Sequence, residues 1–529
     1  MVEADHTSLR LAELVAALSL GIDLGFGQPM EHILRQCLIA LRLAERIDLG
    51  DADRSVVYYT ALLINVGCHT DAHEQAKWFG DDIALKSSKY TNGLRGVRSA
   101  AAGMRQLGSG HPMLARFRIG LEFAVSGHRE LDDMVAHHSE MARRLGDELG
   151  LSAPVLDALS AAYEQWDGKG WPGDLAGDEI PIAVRLAQLA EFVEVAHRVR
   201  GTSAAIGVAT KQRGAQFDPH LVDLLVTDAD LIFAGLDELQ AWDAVIDIEP
   251  SLTVVLTDEQ IDAALAAVGS FIDLKSPYFL GHARAVADLV AAAAERSEMS
   301  AEEVVTLRRA GLVLGFGRLG VSNAIWDKRG PLGPGEWERV KMHPYLTERM
   351  LGQSISLAPL GAIAGQFRER LDGSGYPRGV HGAQISREAR VLAAADAYRS
   401  MREPRPHRGA LEADEAAAQL RADVRAGRLD GEAVESVLGA AGHRISRRRA
   451  GPAGLTAREV EVLRLAARGL SNKDIASRLV ISPKTVANHI EHIYAKIGVS
   501  SRAMASFYAM QNGLLPEEEP VPVQVRADR

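Results

Sequence analysis

The chain has 529 residues, of which 47% are hydrophobic, 24% are charged and 5% are aromatic. At roughly 100–200 residues per domain, this length predicts about three domains. The net charge of −11 excludes a global basic field, so any contact with nucleic acid must come from a local patch. Two cysteines, Cys37 and Cys68, cannot build a disulfide framework or a cysteine-rich zinc site. No uncharged apolar run reaches the length of a membrane span, and the acidic start is unlike a signal peptide, so we expect a cytoplasmic protein without membrane contact.

In chain order, the pattern predicts an all-α protein. Apolar residues at helical spacing fill 1–245 and 255–445, which we interpret as two helical domains. A basic linker at 446–454 contains proline and glycine, a compact zone follows at 455–515, and the tail at 516–529 has the composition of a disordered segment.

An internal repeat relates the two helical domains. WDGKGWPGDLAGDEIPIAVRLAQLAE (166–191) aligns without a gap to LDGSGYPRGVHGAQISREARVLAAAD (371–396). His138 and His343 each lie 29 residues before the aspartate of this segment, Asp167 or Asp372. The first copy has a longer middle stretch at about 69–130. These matching registers predict a duplicated domain.

The repeated motifs resemble the HD-GYP branch of the HD phosphohydrolase superfamily, with DGSGYP at 372–377 as the most specific element. In active members of that family, an early His, a His-Asp pair, a later His, a His-His pair and a final Asp bind two or three metal ions. A metal-held water then attacks a phosphate that paired metals clamp.

Position by position, much of that ligand set is missing. In the first copy the family positions fall on His32, Ile64, Asn65, His138, Ala162, Tyr163 and Glu191. In the second copy they fall on His282, Leu314, Gly315, His343, Phe367, Arg368 and Asp396. The lysine that family members carry after the His-Asp pair becomes Cys68 and Arg318.

Both copies therefore lack the His-Asp pair, so we assign no catalytic residue and expect no cofactor. The vestigial metal candidates are His282, His343, Asp396, His32, His138 and Glu191. They could form one metal site per copy, but we favour inherited side chains that are satisfied by hydrogen bonds, because two or three ligands rarely make a closed site. Glu164 and Glu369, at equivalent positions before the glycine-rich loops, could be functional, but we favour structural salt bridges, and we expect Arg185 and Arg390 to hold those loops in the same way.

Residues 455–515 predict four short helices with explicit start and stop signals. Thr456 with Glu459 forms a capping box, Gly469 ends the first helix, and Ser471 with Asp474 opens the second. Ser482 caps a third helix that has proline at its first position. Its apolar stripe should pack inward and comprises Val486, Ile490, Ile493 and Ile497. Two helices joined by a short turn are a helix-turn-helix arrangement.

The segment closely resembles the LuxR-type helix-turn-helix family, in which the third helix reads DNA and the fourth mediates dimerisation. The resemblance implies base contacts from Lys484, Thr485 and Asn488, and phosphate contacts from His489 and Lys496. His492 and Lys473 complete the candidate DNA-binding set. Eight basic and four acidic side chains give this zone a local positive charge.

The sequence therefore predicts a transcription regulator that binds double-stranded DNA, as a homodimer. Its tandem HD-GYP-like module would sense a small-molecule or nucleotide ligand, or a partner. The alternative is a phosphodiesterase of cyclic-dinucleotide type that uses iron or manganese and is fused to a DNA-binding domain. A third possibility is a scaffold that only dimerises, in which case no nucleotide would shift its thermal stability.

Overall fold

The protein is described by a computed structural model. It describes residues 9–92, 103–109, 112–123, 128–250, 254–444, 453, 455–479 and 481–515. The regular secondary structure of these residues is helical, with isolated bridges and no strand among them, which confirms the all-α prediction. No helix within the described ranges is long and apolar enough to cross a membrane. The predicted tail at 516–529 lies outside the described residues, as does the predicted linker at 446–454 except for Ala453.

The chain divides into two compact units, Met1–Arg444 and Ile445–Arg529. Both predicted helical domains lie in the first unit, where one buried apolar core extends from Leu9 to Leu438. Alanine, leucine and valine supply most of that core, as the low aromatic content predicts.

The helices of the first half of this unit are α1 (Leu11–Gly25), α2 (His32–Arg46), α3 (Asp51–Leu63), α4 (Ala72–Phe79), α5 (Asp82–Ser87), α6 (Lys89–Asn92), α7 (Met113–Glu122), α8 (His128–Glu148), α9 (Ala153–Ser160), α10 (Ile182–Arg200), α11 (Thr202–Lys211), α12 (Pro219–Ile232) and α13 (Ala241–Asp247). Short 3₁₀ segments lie at Val66–His69 and Gly177–Glu179.

The helices of its second half are α14 (Asp258–Asp273), α15 (His282–Arg296), α16 (Ala301–Val313), α17 (Asn323–Trp326), α18 (Pro334–Lys341), α19 (His343–Leu351), α20 (Ala358–Ala364), α21 (Arg387–Arg402), α22 (Ala413–Arg425) and α23 (Gly431–Ala440). The 3₁₀ segments here lie at Phe316–Gly320 and Gly382–Gln384.

Local features recur between the halves at the positions that the repeat aligns. Helices α2 and α15 both begin with a histidine, and each follows a residue in the left-handed conformation, Glu31 or Gly281. A Cβ added to Gly67 would lie 2.1 Å from the carbonyl oxygen of His138, and one added to Gly317 would lie 1.9 Å from that of His343. Only glycine allows this approach, so it fixes each 3₁₀ segment against the later histidine.

The second unit contains α24 (Ala457–Ala467), α25 (Asn472–Leu479), α26 (Pro483–Ile497) and α27 (Arg502–Gln511). The capping box is present, because Thr456 Oγ1 accepts from Glu459 N at 3.2 Å and Thr456 N donates to Glu459 Oε2 at 2.7 Å. Ser482 caps α26, which ends at Gly498 in the left-handed conformation. Val486 and Ile493 are buried in the core of this unit, and Ile490 and Ile497 pack against it. The four helices and their apolar stripe are as the sequence predicts.

Candidate functional sites

Three of the family's positions in the first half, His32, Asn65 and Glu191, lie in one polar cluster with Lys89, Tyr90 and Glu194, which we call the first site. Nδ1 of His32 bonds the carboxylate of Glu194, and its Nε2 lies 3.2 Å from the Tyr90 hydroxyl. Oε1 of Glu191 accepts from Asn65 Nδ2 at 2.8 Å and from the Tyr90 hydroxyl at 3.0 Å. Of the three candidates in this half, His32 and Glu191 thus share one network.

A lysine supplies the positive charge of the first site. Lys89 Nζ lies 2.5 Å from Glu191 Oε1 and 3.1 Å from Asn65 Oδ1. Its side chain is 11% exposed, and Nζ sits 4.2 Å from the centre of the Phe26 ring. Burial raises the pKa of Glu191, but the Lys89 ammonium lowers it further, so the net pKa lies below its ordinary value.

His138 lies in a separate group next to this cluster. Its Nε2 is 2.7 Å from Asp71 Oδ2, and Cys68 Sγ is 2.7 Å from the Tyr163 hydroxyl. Burial lowers the pKa of His138, but the neighbouring Cys68 and Asp71 raise it to about 9. Asp71 and Cys68 thus engage this histidine within the protein itself.

The corresponding cluster of the second half is the second site: Asp273, His282, Arg318, Arg368, Asp396, Glu403 and Arg405. His282 bridges two carboxylates, with Nε2 3.1 Å from Asp396 Oδ1 and Nδ1 2.7 Å from Glu403 Oε2. Arg368 Nη2 lies 3.1 Å from Asp396 Oδ2. Burial raises the pKa of Asp396, but Arg368 and His282 lower it well below its ordinary range.

Two further arginines balance the remaining acids of the second site. Arg318 Nη1 lies 3.4 Å from Asp273 Oδ1, and Arg405 Nη2 lies 3.0 Å from Glu403 Oε2. Both guanidinium groups stand over the ring of Phe279, at 4.4 and 5.4 Å from its centre. Each of the three carboxylates of the second site therefore has an arginine guanidinium within ion-pair distance.

His343 is buried near this cluster but bonds none of its acids. Its Nδ1–H donates to the carbonyl of Val340 at 2.6 Å, and the rings of Trp326, Phe367 and Tyr376 surround it. Burial, followed by the charge of Arg368, lowers its pKa to about 3. His343 is thus a neutral, hydrogen-bonded core residue.

The donors present do not fit a two-metal centre. Within the part of the chain that the structure describes, no group of three or more His, Cys, Asp or Glu side chains is placed to hold a metal ion. Lys89 in the first site and Arg368 in the second ion-pair with the carboxylates that the family uses as the final ligand. A metal ion at either position would meet a fixed positive charge at close range.

Glu164 and Glu369 differ from expectation, because they bind loop backbone rather than a basic side chain. Glu164 Oε1 accepts from Gly173 N at 3.1 Å and Asp174 N at 2.9 Å, and Glu369 Oε1 accepts from Arg378 N at 2.8 Å. The backbone amides of each turn therefore engage one oxygen of a buried carboxylate, while Oε2 of Glu164 and of Glu369 is buried without a hydrogen-bond partner.

The two loop arginines act as the sequence predicts. Arg390 donates to the carbonyl groups of Ile385 and Gly382, at 3.0 and 3.1 Å. Arg185 pairs with Asp178 and Asp218, at 2.8 Å each. The glycine-rich loops are therefore held by the protein's own side chains.

The candidate DNA-binding residues lie in the second unit, mostly on one helix. Lys484, Thr485 and Asn488 are exposed in the first turns of α26, and Thr485 N donates to the capping Ser482 Oγ at 3.1 Å. His492 is exposed further along α26, and Lys473 is exposed on α25. His489 is half-buried, and Lys496 pairs with Glu459 at 2.8 Å, so part of its charge is neutralised inside the unit.

Sequence reasoning missed several residues of both clusters: Lys89, Tyr90, Glu194, Glu403 and Arg405. One had a detectable signal, because Glu194 lies three positions after Glu191 on α10 and so shares a helix face with it, whereas Glu403 lies just past the end of α21 in an extended conformation. Lys89 had none, because it lies in the longer middle stretch of the first half, which has no counterpart in the second.

Comparison with known proteins defines the class of both units. Residues 127–221 and 267–433 match the HD domain family, and residues 453–509 match the luxR family of bacterial regulatory proteins. The chain is 30% identical over 412 residues, 77% of its length, to the 3'3'-cGAMP-specific phosphodiesterase 3 of Vibrio cholerae, of which it covers 90%.

Two further matches agree. A crystal structure of a cyclic GMP-AMP-specific phosphodiesterase of V. cholerae superposes with a TM-score of 0.58 at 25% identity, over 83% of this chain and 99% of that one. A 59-residue segment, 11% of this chain, is 51% identical to a putative HTH-type transcriptional regulator of Mycobacterium bovis, of which it covers 7%. The chain therefore belongs to the HD-domain family, has phosphodiesterases among its relatives, and carries a C-terminal helix-turn-helix domain of the luxR family.

Proposed function

We propose that this protein is a cytoplasmic transcription regulator whose HD-type module does not hydrolyse phosphodiesters. In this proposal 1–245 and 255–445 are two degenerate copies of one domain, and 455–515 binds double-stranded DNA as part of a homodimer. The observation that carries the proposal is a contrast between the units. The helix-turn-helix unit keeps its caps, core and exposed basic helix start, while both former metal clusters carry protein cations on their carboxylates.

The DNA contact follows from the start of α26. In helix-turn-helix proteins the N-terminal residues of this helix face base edges in the major groove. Lys484 and Asn488 carry groups that pair with guanine and adenine there, and Lys473 and His492 add charge or donors near phosphate. On α27, Met504, Phe507 and Met510 are 54%, 54% and 61% exposed, which supports dimerisation through this helix.

The test is a DNA titration with single-residue variants. A preferred duplex is first selected from random sequence with the full-length protein, and its affinity is then measured by fluorescence polarisation. Lys484→Ala and Asn488→Ala should each weaken binding by about 5- to 150-fold, since one base contact is worth roughly 1–3 kcal/mol. Lys211→Ala, which removes an exposed polar group of the first unit, should bind like the wild type. Unchanged affinity in both α26 variants would overturn the assignment of the recognition helix.

The second candidate function is phosphodiesterase activity, and the similarity to the V. cholerae enzyme favours it. Incubation with 3'3'-cGAMP in the presence of Mn²⁺, followed by chromatography of the products, decides between the two. The regulator proposal predicts no linear product above the level of a protein-free control. Turnover that is lost in His282→Ala would establish the enzyme instead.

The ligand-sensing role has its own test. A cyclic dinucleotide that binds the folded HD-type module should raise its unfolding temperature in proportion to the logarithm of ligand concentration. A module that only dimerises would show no such shift with any nucleotide.

A further inference from the structure

The first site has the surroundings of a cation site rather than those of a metal centre. Around Lys89 Nζ lie two oxygen acceptors, Glu191 Oε1 at 2.5 Å and Asn65 Oδ1 at 3.1 Å. Two aromatic faces complete the shell, with ring centres of Phe26 at 4.2 Å and Tyr90 at 5.1 Å. Ammonium groups bind well to a mixture of oxygens and ring faces, whereas divalent metals require a fuller set of oxygen or nitrogen ligands.

The remaining donors of the cluster already have partners. Both ring nitrogens of His32 are engaged, one by Glu194 and the other by the Tyr90 hydroxyl. Glu194 also accepts from Arg198 Nε at 3.0 Å. These groups are therefore not available to extend the shell of Lys89 into that of a metal ion.

The segment that carries Lys89 is anchored independently of the site. Asp82, on the preceding helix α5, is fully buried against the second half of the unit. Its Oδ1 accepts from Ser322 Oγ and Asn323 N, both at 2.8 Å, and its Oδ2 lies 3.4 Å from the Lys275 ammonium. These contacts of Asp82 hold α5 and α6 in place and so position the Lys89 ammonium in the site. Because the ammonium is part of the chain, its binding does not carry the entropic cost of binding a free ion.

We propose that the first site is a binding site for an organic ammonium cation, and that Lys89 is its built-in occupant. The proposal rests on the non-catalytic assignment made above. In this proposal the ammonium group of Lys89 takes the place that a metal ion has in active relatives. When the Lys89 side chain is truncated, the same shell should bind a small primary ammonium ion.

The test is chemical rescue of Lys89→Ala in the full-length protein. Truncation removes the cation and leaves space for it, so the carboxylate of Glu191 is buried without its counter-charge and the unfolding temperature should fall by more than about 2 °C. n-Propylammonium chloride should raise the unfolding temperature of this variant by more than that of the wild type. Sodium chloride at the same ionic strength should not reproduce the effect.

Two control variants sharpen the rescue. Lys89→Met removes the charge but fills the space, so it should lose stability without rescue by n-propylammonium. Lys211→Ala, at an exposed position on α11, should match the wild type with and without the amine. Equal stability of Lys89→Ala and wild type, rescue by sodium chloride alone, or equal rescue of Lys89→Met would each overturn the proposal.

A double variant keeps the test decisive if Lys89→Ala does not fold. Glu191→Gln removes the counter-charge and still offers an acceptor to Asn65 and Tyr90. Lys89→Met with Glu191→Gln should therefore unfold at a higher temperature than Lys89→Met alone, and a lower temperature would contradict the ion pair. Failure of either test leaves DNA binding by 455–515 untouched, so it is distinguishable from failure of the proposed regulatory function.

Discussion

At the residue scale, the sequence predicts the positions of some candidate side chains and not of others. The repeat locates His32, Glu191, His282 and Asp396, and all four lie buried in the two clusters. Arg368 was visible as a basic residue at a ligand position and Arg318 as one at the position of the family's lysine, and the structure pairs them with Asp396 and Asp273. Lys89 could not be predicted, because its role depends on how the unrepeated stretch folds back over the first half.

His343 makes the stability of the first unit sensitive to acid. Its pKa is about 3 in the folded chain because it is buried, against roughly 6.5 when unfolded, so the unfolded state takes up a proton first as the pH falls. The contribution of His343 to the free energy of unfolding is fully present above about pH 6.5 and is lost as the pH falls toward about 3. Over that range the free energy of unfolding falls with a slope approaching about 1.4 kcal/mol per pH unit. Urea unfolding of wild type and His343→Gln between pH 7 and 4.5 measures it.

The expected result is a stability gap between the two proteins that narrows as the pH falls. His407→Gln, at an exposed position, should show a pH profile like that of the wild type. A gap that stays constant over this range would mean that His343 is not held neutral.

Gly317 is predicted to be intolerant of any side chain. An added Cβ would lie 1.9 Å from the carbonyl oxygen of His343, which is backbone and cannot move aside cheaply. Gly317→Ala should therefore destabilise the protein by several kcal/mol, as overpacking and backbone shifts do. Gly335→Ala, in helix α18 with no atom near its Cβ position, should be neutral or slightly stabilising, and thermal unfolding of the pair provides the comparison. Equal unfolding temperatures would contradict the close approach.

At the element scale, the best-predicted structures are those with local signals. The starts of α24, α25 and α26 follow their capping residues, because a cap is a contact within one turn of the chain. Helices α4 to α6 are short and lie in the stretch that is longer in the first copy, so their course depends on contacts with distant segments. His73 of α4, and His69 just before it, illustrate this, since they bond Asp327 and Phe271 of the second half.

The contact of α5 with the second half should be a major source of stability. Asp82 is the counter-ion of Lys275, whose side chain is 0% exposed, and of Lys86. Asp82→Asn keeps the size but leaves the Lys275 ammonium buried without a carboxylate, so a loss of about 3–5 kcal/mol is expected. Chemical unfolding at pH 7 measures this loss, with Asp230→Asn, at an exposed position, as the control. A loss below that of the control would show that the ion pair does not hold the halves together.

At the scale of the whole molecule, charge is divided between the two units. The second unit carries the local excess of basic residues in an otherwise acidic chain. Binding to duplex DNA should therefore weaken as salt rises, with a logarithmic slope of about −0.9 for each phosphate contact. DNA titrations at salt concentrations from about 50 to about 200 mM measure this slope. Lys473→Ala should reduce its magnitude by about one. A flat salt profile would contradict phosphate contacts by this unit.

The all-α architecture could largely be predicted from the sequence. For the first and second sites, the sequence predicted the missing ligands but not all of the ion pairs. Helical periodicity and the repeat gave the all-α class and the register of the loops. The path of α4 to α6 over the first half could not be predicted from the sequence. It depends on the buried ion pairs and hydrogen bonds that these helices make with distant segments. Local patterns determine such elements poorly when long-range contacts decide their position.

We expect the HD-type module to carry its own cations and no catalytic metal. Elemental analysis of the full-length protein, purified without chelator, tests this expectation. The protein should hold less than about a tenth of an equivalent of any transition metal per chain, because a closed site needs more ligands than remain. About one or two equivalents of iron or manganese, lost in His282→Ala or Asp396→Ala, would contradict it, since two-metal hydrolysis would then be possible.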